Sequence, residues 1–361
     1  MNRTLSIGPL NSASQASAWA RSLKDRTTHE AFTVAFDGPV ASLLRDRRVN
    51  DRADRSLPHY RLAPTWLRRA RVRRLIGEAT HHLNESNMPL AGDPHTTRFT
   101  DEAETYRRLG VSPAVVFHGS DARDPQRSIE LNEHSFFTEA DPEWTRRLGE
   151  QAKRNRAAVA SAGLPTFVTT PDMLEHVEGS TLLPITLSLD GWASEDTPLD
   201  RPVPRVLHRP SASATATKGT RHIERALEEL ERRGRIEIVR SGVVSHDAMP
   251  ALLHSADIVI DQIQTGAYGV IAIEAMAAGR VVISSVSEHT RRVMGDEVPL
   301  LDANPDTLRS VLDDVLDDRD RAREIATSGP EFVRRWHDGT AAATVLNDWL
   351  CRPDRRELVS G

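Results

Sequence analysis

Short runs of apolar residues alternate with longer amphipathic stretches along the chain, most clearly in its second half. In the stretch Thr220–Arg233, Ile223, Leu227 and Leu230 fall on one helical stripe, and Gly234 follows as a stop signal. Alternation of strands and helices predicts a parallel sheet covered by helices on both faces. The predicted elements of this half are strand Val203–Leu207, helix Thr220–Arg233, strand Ile236–Val239, helix Asp247–Ser255, strand Ile258–Ile260, helix Gly269–Ala278, strand Val281–Ser284 and helix Asp306–Leu316.

The first half repeats the alternation less cleanly. Its predicted elements are strands Leu5–Gly8, Phe32–Phe36, Val115–Phe117 and Thr166–Thr169 and helices Gln15–Leu23 and Pro142–Ala162. Proline and polar residues break the pattern over 188–204, which favours a linker between domains. A chain of 361 residues is long enough for two cores. We therefore predict an α/β protein with two Rossmann-like, doubly wound domains, 1–187 and 188–329.

Composition narrows the class of protein. Hydrophobic residues make up 39% of the chain and charged residues 27%, as in globular proteins, and the net charge of −5 gives no basic excess for nucleic acid. The single cysteine, Cys351, excludes an internal disulfide framework and a multi-cysteine metal site. The N-terminus lacks the features of a signal peptide, and no apolar run is long enough to span a bilayer. These features predict a cytoplasmic protein.

The loop after the Val203–Leu207 strand has the residues of an anion site. Arg209 begins it, and Lys218, Gly219 and Thr220 open the next helix. In a doubly wound sheet, ligands bind beyond the carboxyl ends of strands, and a helix start offers free N–H groups to an anion. The two cations would stabilise a departing diphosphate. The alternative is a surface loop with two solvated cations.

A second glycine-bearing turn, at 266–269, follows the Ile258–Ile260 strand and leads into a helix that carries Glu274 among apolar residues. A carboxylate in such surroundings is costly unless it is paired. It can accept hydrogen bonds from the two hydroxyls of a ribose. The alternative is a salt bridge to an arginine.

The run from Ala256-Asp257 through Glu274-Ala275-Met276-Ala277-Ala278-Gly279 to Ile283 resembles the donor-binding segment of the retaining glycosyltransferases of family 4, or "group 1", which have the GT-B fold. Further likenesses lie in Lys218-Gly219-Thr220 (diphosphate site), Phe117-His118-Gly119-Ser120-Asp121 (active-site loop), Gly8-Pro9-Leu10-Asn11 (first-strand loop), and Thr169–Leu174 with Leu183-Pro184 (approach to the hinge).

The resemblance implies an active site in the cleft between the domains, with the C-terminal residues 330–361 crossing back onto the first domain. It implies transfer of sugar from a nucleotide-diphosphate donor with retention, without a metal or cofactor. The implied roles are catalysis for His118 and Asp121, diphosphate binding for Arg209, Lys218, Gly219, Tyr268, Gly269 and Val270, ribose binding for Glu274, and sugar or acceptor contact for Asn11, Ser14 and Gly266.

Two positions depart from the family pattern. Gly266 stands where the first of two glutamates is usual, and Ser14 stands where many relatives have glycine. Two alternatives therefore stay open: a catalytically silent nucleotide-sugar-binding protein, and a nucleotide-sugar epimerase of the same fold. Product formation separates the enzymes from the binder, and acceptor dependence separates transferase from epimerase. The sequence identifies neither the acceptor, which can be lipid-linked or a small molecule, nor the base and sugar of the donor.

Three further patterns need an interpretation. Trp66–Ile76 carries five arginines among apolar residues, which favours either peripheral contact with an anionic membrane at its inner face or a salt-bridged surface helix. Asp318-Arg319-Asp320 has the spacing of a metal-binding motif but lies in a charge run typical of a solvated helix. His81 and His82 would point to opposite faces of a strand and could not share a metal.

Overall fold

The computed structural model describes residues 2–37, 53–58, 63–194, 196–210, 217–242, 244–295 and 297–352. Residues 1, 38–52, 59–62, 195, 211–216, 243, 296 and 353–361 lie outside this range. The described strands form two separate sheets, and every strand pairing in both sheets is parallel. The predicted α/β class with two Rossmann-like halves is confirmed.

The first sheet has seven strands in the order β3-β2-β1-β4-β5-β6-β7. Its strands are β1 Thr4–Gly8, β2 Glu30–Asp37, β3 Arg55–Pro58, β4 His81–Glu85, β5 Ser112–Phe117, β6 Thr166–Val168 and β7 Thr181–Leu182. Strand β4 lies at its centre and β1 lies beside it, with Leu5 opposite Ala31 of β2 and His81 of β4. Strand β5 begins three residues before the predicted start, because Ser112 pairs with His81 through the backbone although its side chain does not continue the apolar run.

The second sheet has five strands in the order β12-β11-β10-β8-β9. They are β8 Arg205–His208, β9 Glu237–Ile238, β10 Ile258–Ile260, β11 Val281–Ser284 and β12 Leu301–Asp302. Strands β10 and β11 have the predicted bounds. The order reverses between β8 and β10, and a crevice outside the carboxyl ends of strands at such a point is where open α/β sheets bind ligands.

The described helices pack on both sheets. They are α1 Gln15–Arg26, α2 Thr65–Ile76, α3 Phe99–Arg108, α4 Pro125–Leu131, α5 Pro142–Ala162, α6 Thr220–Arg232, α7 Met249–His254, α8 Val270–Ala277, α9 Glu288–Met294, α10 Leu308–Asp317, α11 Arg319–Thr327, α12 Gly329–His337 and α13 Thr340–Cys351. The predicted Asp247–Ser255 helix is shorter, since a 3₁₀ turn at His246–Ala248 precedes it and Pro250 lies in its first turn.

The last two helices connect the domains. Helix α12 packs on α8 of the second domain, and α13 packs on α1 of the first. Leu346, Trp349 and Leu350 of α13 are buried in one cluster with Trp19 and Phe167. The chain therefore returns to the first domain after completing the second.

The segment 188–204 contains no helix or strand among its described residues, yet it is packed on the second domain. Trp192 and Leu199 are buried, and the buried Asp257 carboxylate accepts hydrogen bonds from the N–H groups of Leu199 and Arg205 at 2.9 and 2.7 Å. The segment is therefore a fixed part of that domain's surface and not a loose tether.

His81 and His82 lie on opposite faces of β4, as predicted. His81 packs edge-on against Trp349, whereas His82 lies against Phe99 and Tyr106 on the other side. Burial lowers the pKa of His82 to about 3, so it is neutral at physiological pH. Both histidines belong to the core.

Candidate active site between the two sheets

A recess between the domains is lined by residues that follow the carboxyl ends of strands in both sheets. We call it the polar recess and define it by Arg123, Asn132, Asp172, Glu175, Gln264 and Gly266. The Asn132 side-chain amide donates to the main-chain oxygen of Gln264 at 3.2 Å, which joins the two domains across the recess. The ligand-binding edges of both sheets therefore face each other.

Glu85 organises the N-domain side of the cleft. It ends β4, is fully buried, and accepts hydrogen bonds from the N–H groups of Leu10, Asn11 and Ser12 at 2.8, 2.7 and 3.0 Å. Burial opposes its ionisation, but the hydrogen bond and charge of His118 and these backbone donors outweigh burial and lower the pKa of Glu85. An ionised carboxylate thus holds the loop that follows β1.

His118 follows β5, the strand next to β4, and its Nε2 lies 3.2 Å from Oε1 of Glu85. Its ring stacks on Trp19 of α1, with centroids 6.0 Å apart and an angle of 6° between the planes. Burial disfavours the imidazolium, but the hydrogen bond and charge of Glu85 outweigh this effect and raise the pKa of His118. Its side chain remains 19% exposed, so it can carry a positive charge at the edge of the cleft.

Asp121 lies beside His118, but its carboxylate supports the loop. It accepts from the N–H groups of His118 and Gly119 at about 3 Å and from the Ser86 hydroxyl at 2.6 Å. These bonds fix the backbone that carries His118. The geometry therefore favours a positioning role for Asp121 over contact with substrate.

Asn11 and Ser14 lie in the loop that Glu85 holds. The side chain of Asn11 pairs with Ser17 at both its oxygen and its nitrogen, which fixes the approach to α1. Asn11 and Ser14 have φ angles of 50° and 61°, in the left-handed region where glycine is favoured. The glycine of many relatives would meet this requirement at position 14 without strain.

On the C-domain side, a carboxylate joins two of the predicted diphosphate ligands. Asp261, fully buried just beyond β10, accepts from the Lys218 ammonium at 2.9 Å and from the N–H of Gly269 at 2.6 Å. The structure therefore brings Lys218 and Gly269 together, but around Asp261. For Lys218 to contact a diphosphate, its ammonium must share or leave this carboxylate.

Gly219 is required at the start of α6. Its φ is +75°, and a Cβ there would lie 2.6 Å from Cγ1 of Ile263. The neighbouring Thr220 hydroxyl bonds to Nε2 of His208, whose Nδ1 lies 2.9 Å from the carbonyl oxygen of Ile260. Because a carbonyl only accepts, His208 carries its proton on Nδ1 and fixes the helix start to β10.

Helix α8 carries Glu274, which is buried with 5% of its surface exposed. Val270 begins this helix. The Tyr268 hydroxyl contacts Nε2 of His337 at 3.1 Å, and Nδ1 of His337 lies 2.7 Å from the carbonyl oxygen of Ile185. The turn before α8 is thus joined, through His337 of α12, to Ile185 at the end of the first domain. Arg209 follows β8, and its Nη1 lies 3.1 Å from the sulfur of Met249 at the start of α7.

Gly266 adopts a φ of +76° and is fixed by three serine and threonine residues. Its N–H donates to the Ser285 hydroxyl, and its oxygen accepts from the Ser287 N–H and the Thr290 hydroxyl, all within 2.9 Å. A Cβ at this position would meet ordinary van der Waals contacts with Ser287. A side chain here would therefore be opposed by the backbone angle and not by lack of space.

Glu85 and Asp261 are the two residues that the sequence interpretation missed. Each ends or follows a central strand and binds backbone N–H groups of a neighbouring loop. The only local signal is an acidic residue at the carboxyl end of a buried strand, which becomes informative once the strand order is known.

The comparisons with known proteins agree with this architecture. Residues 221–332 match the sequence model of the family described as glycosyl transferases group 1. No curated protein matches the chain.

Among solved structures, a glycosyltransferase from Rickettsia africae has a TM-score of 0.62 at 12% identity, covering 97% of both chains. Sucrose-phosphate synthase from Thermosynechococcus elongatus has 0.59 at 14% identity over all of both chains. HepE from Anabaena, in complex with UDP and glucose, has 0.55 at 14% identity, covering 98% of this chain and 100% of that one. These likenesses confirm the GT-B fold, and residues 221–332 are similar to the glycosyl transferases of group 1.

Proposed function

We propose that the protein transfers a sugar from a nucleotide-diphosphate donor to a hydroxyl acceptor, with retention of configuration. The observation that carries the proposal is the grouping of Lys218, the α6 start at Gly219 and the α8 start at Gly269 around the carboxyl ends of β8 and β10. A helix start and a cation stabilise the charge that a diphosphate acquires as it leaves. The UDP and glucose held by HepE support a UDP-sugar among the donors to be tested.

In this proposal the chain's own groups bind, orient and exclude water. Glu85 fixes both the loop after β1 and the imidazolium of His118, which faces the sugar from the first domain. By resemblance, the departing diphosphate helps to deprotonate the acceptor hydroxyl. An epimerase would need a carboxylate free to move protons. Glu85 is held ionised by four donors and is unsuited to that task.

Replacing the buried carboxylate of α8 tests the donor site. Glu274→Gln keeps the shape but weakens charge-assisted bonds to ribose hydroxyls, so affinity for the nucleoside diphosphate should fall about 10- to 100-fold, for a cost of about 1.5–3 kcal/mol. Calorimetry with UDP, GDP, ADP and TDP measures this affinity. The exposed helical Glu228→Gln is the matched control. Unchanged affinity in a folded Glu274→Gln protein would make the ribose assignment wrong.

Turnover should survive removal of divalent metal, because cations and helix starts neutralise the leaving group. The Asp318-Arg319-Asp320 motif has other uses: Asp318 accepts from the Arg321 N–H at 3.2 Å, and Asp320 pairs with Arg323 at 2.6 Å. We expect rates with and without EDTA to agree. Loss of turnover in EDTA with recovery on adding Mg²⁺ or Mn²⁺ would contradict the proposal.

Helix α2 offers a basic surface for an anionic membrane. Trp66 and Leu67 are 70% and 42% exposed at its start, next to exposed arginines. The other apolar side chains of the segment, Val72, Leu75 and Ile76, are buried in the core, and Arg68 donates to the carbonyl oxygens of Leu90 and Gly92. No helix in the described part of the chain is long and apolar enough to cross a membrane.

We expect vesicles containing phosphatidylserine to sediment the protein at low salt, with release on raising the salt concentration. The double change Trp66→Ala, Leu67→Ala should reduce binding, because the exposed apolar groups would no longer enter the interface. Leu109→Ala, at an exposed leucine on α3's C-terminal side, is the control. If the wild type does not sediment at low salt, the membrane interpretation is wrong and α2 is a salt-bridged surface helix.

A further inference from the structure

Two segments of the chain cross between the domains, and His337 bonds them to each other. The first crossing runs through 184–187, and the second follows α12 at 337–340. The N–H of Leu187 donates to the carbonyl oxygen of His337 at 2.7 Å, and Nδ1 of this histidine lies 2.7 Å from the carbonyl oxygen of Ile185. With 3% of its surface exposed, His337 is a buried junction between the two crossings.

Helix α1 of the first domain holds the backbone of both crossings. The side-chain amide of Gln15 accepts from the N–H of Thr186 at 2.7 Å and donates to its oxygen at 3.1 Å. The guanidinium of Arg26 donates to the carbonyl oxygen of Asp338 at 2.8 Å. We therefore expect both crossings to move with the first domain when the angle between the domains changes.

On the second-domain side, this junction is bonded to Tyr268 in the turn before α8. Tyr268 is 3% exposed, and its hydroxyl lies 3.1 Å from Nε2 of His337. Since a carbonyl oxygen only accepts, Nδ1 of His337 carries the proton that bonds Ile185. Burial lowers the pKa of His337 to about 4, so at neutral pH the ring holds one proton and Nε2 is an acceptor. Tyr268 is therefore the donor in this bond.

The turn that carries Tyr268 is also held by the proposed donor site. The next residue, Gly269, donates its N–H to the buried carboxylate of Asp261, which also accepts from the Lys218 ammonium. A diphosphate that draws this ammonium toward itself would change the charge balance on Asp261, and with it the hold on the turn. A continuous series of contacts thus runs from Lys218 to the crossings.

The domains meet again across the cleft, through contacts that can open. Glu139 of the first domain accepts from Nε2 of His222 at 2.7 Å and lies 3.2 Å from a guanidinium nitrogen of Arg221, both in the first turn of α6. These side chains are between 23% and 75% exposed, and exposed ion pairs contribute little to stability. The cleft can therefore open there while the buried junction at His337 holds.

We propose that the Tyr268–His337 hydrogen bond couples the turn before α8 to the angle between the domains, so that both side chains act as positioning residues for transfer. When a diphosphate binds at Lys218, the turn acts through His337 on the crossings, and the first domain, with His118, turns toward the donor. This inference rests on the proposed function in one respect, the binding of a nucleoside diphosphate around Lys218.

The test measures the distance between the domains in the full chain. Cys351, the single cysteine, is exposed on α13, which packs on the first domain, and Ser310→Cys adds a second label site on the exposed side of α10. Spin labels at both positions report the distance distribution by pulsed electron–electron double resonance, with and without UDP, GDP, ADP or TDP. Calorimetry gives the affinity for each nucleotide.

Two variants remove the bond in different ways. Tyr268→Phe removes only the hydroxyl, whereas His337→Asn keeps an N–H for Ile185 and removes the acceptor of Tyr268. Tyr106→Phe is the control, because Tyr106 is buried in the first domain and its hydroxyl has no hydrogen-bond partner among the described residues.

We expect a bound nucleotide to shift the distance distribution of the wild type. Tyr268→Phe and His337→Asn should each lose most of this shift and broaden the distribution measured without nucleotide. The kcat for transfer should fall about tenfold, because the two sides of the cleft no longer assemble together, whereas nucleotide affinity should fall by less than about fivefold. The double variant should match the single variants within about twofold, since both changes remove the same bond.

Three results would overturn the proposal: a shift of wild-type size in both variants, effects that add in the double variant, or a wild type whose distance does not respond to a nucleotide that it binds. Absence of nucleotide binding by the wild type is a different failure, that of the proposed function. The distributions without nucleotide then still decide. Broader distributions in Tyr268→Phe and His337→Asn, but not in Tyr106→Phe, support the coupling, and equal widths overturn it.

Discussion

Glu85→Gln should both destabilise the first domain and disable the active site. The carboxylate accepts from three backbone N–H groups and from His118. An amide offers one oxygen and turns an N–H₂ toward the remaining donors, so at least two bonds are lost. At about 1.5–2 kcal/mol for each bond to a charged group, the free energy of unfolding should fall by about 3–4 kcal/mol. Urea denaturation at neutral pH measures it.

Glu85→Gln should also lower the pKa of His118. Burial lowers the pKa of His118, and the hydrogen bond and charge of Glu85, followed by the charge of Asp121, raise it; without Glu85, burial is opposed by Asp121 alone. Transfer should slow about 100-fold, because the loop after β1 and the imidazole lose their fixed positions. NMR titration of the imidazole and initial rates report the two effects separately.

Glu102→Gln is the matched control. Glu102 also accepts from three backbone N–H groups, those of Leu90, Ala91 and Gly92, but lies away from His118. Glu102→Gln should destabilise the fold, but it should leave the pKa of His118 unchanged and the transfer rate near that of the wild type. Equal loss of activity in both variants would mean that Glu85 acts through stability alone.

The pH dependence of the folding stability follows from the shifted pKa values of His118 and Glu85. The pKa of His118 is raised on folding, so its contribution to stability is complete below the unfolded pKa of about 6.5 and is lost as the pH rises through the folded pKa. The pKa of Glu85 is lowered, so its contribution is present above about 4.3 and is lost as the pH falls through the folded pKa. Both contributions to stability are therefore complete between about pH 4.3 and about pH 6.5.

The regular elements of the second domain could be predicted because their apolar runs are short, separate and bounded by turn residues. Strand ends were less predictable: β8 runs from Arg205 to His208 and not from Val203 to Leu207, since its polar ends pair through the backbone. In the segment 66–76, three of the apolar residues serve the core, which the sequence pattern alone does not show. Whether an apolar residue faces core or solvent depends on the partner element, which periodicity does not identify.

In the candidate site, a glycine before a helix start is a signal that the sequence carries, whereas a lone carboxylate is not. The loop around Gly219 and the turn at Gly266 both need positive φ angles, which only a few residue types accept. Glu85 and Asp261 look like ordinary acidic residues in sequence. Their importance comes from strand neighbours far away in the chain, such as Gly269 beside Asp261.

The partnership between Lys218 and Asp261 gives the second large prediction. Lys218→Met removes the ammonium and leaves the buried carboxylate with the Gly269 N–H and no cation. Losing one charge-assisted bond should cost about 1.5–3 kcal/mol of stability. If Lys218 also binds the diphosphate, affinity for the nucleoside diphosphate should fall about 10- to 100-fold, whereas affinity for the nucleoside should not change.

The double variant Lys218→Met, Asp261→Asn separates the two roles. Removing the unpaired charge should restore most of the stability, because a neutral amide can still accept from Gly269. It should not restore affinity for the diphosphate, since the cation that attracts it is still missing. The single variant Asp261→Asn should bind the diphosphate at least as tightly as wild type, because Lys218 is released from its carboxylate. Thermal unfolding and calorimetry on the four proteins complete the cycle. Full recovery of diphosphate affinity in the double variant would show that Lys218 serves only to neutralise Asp261.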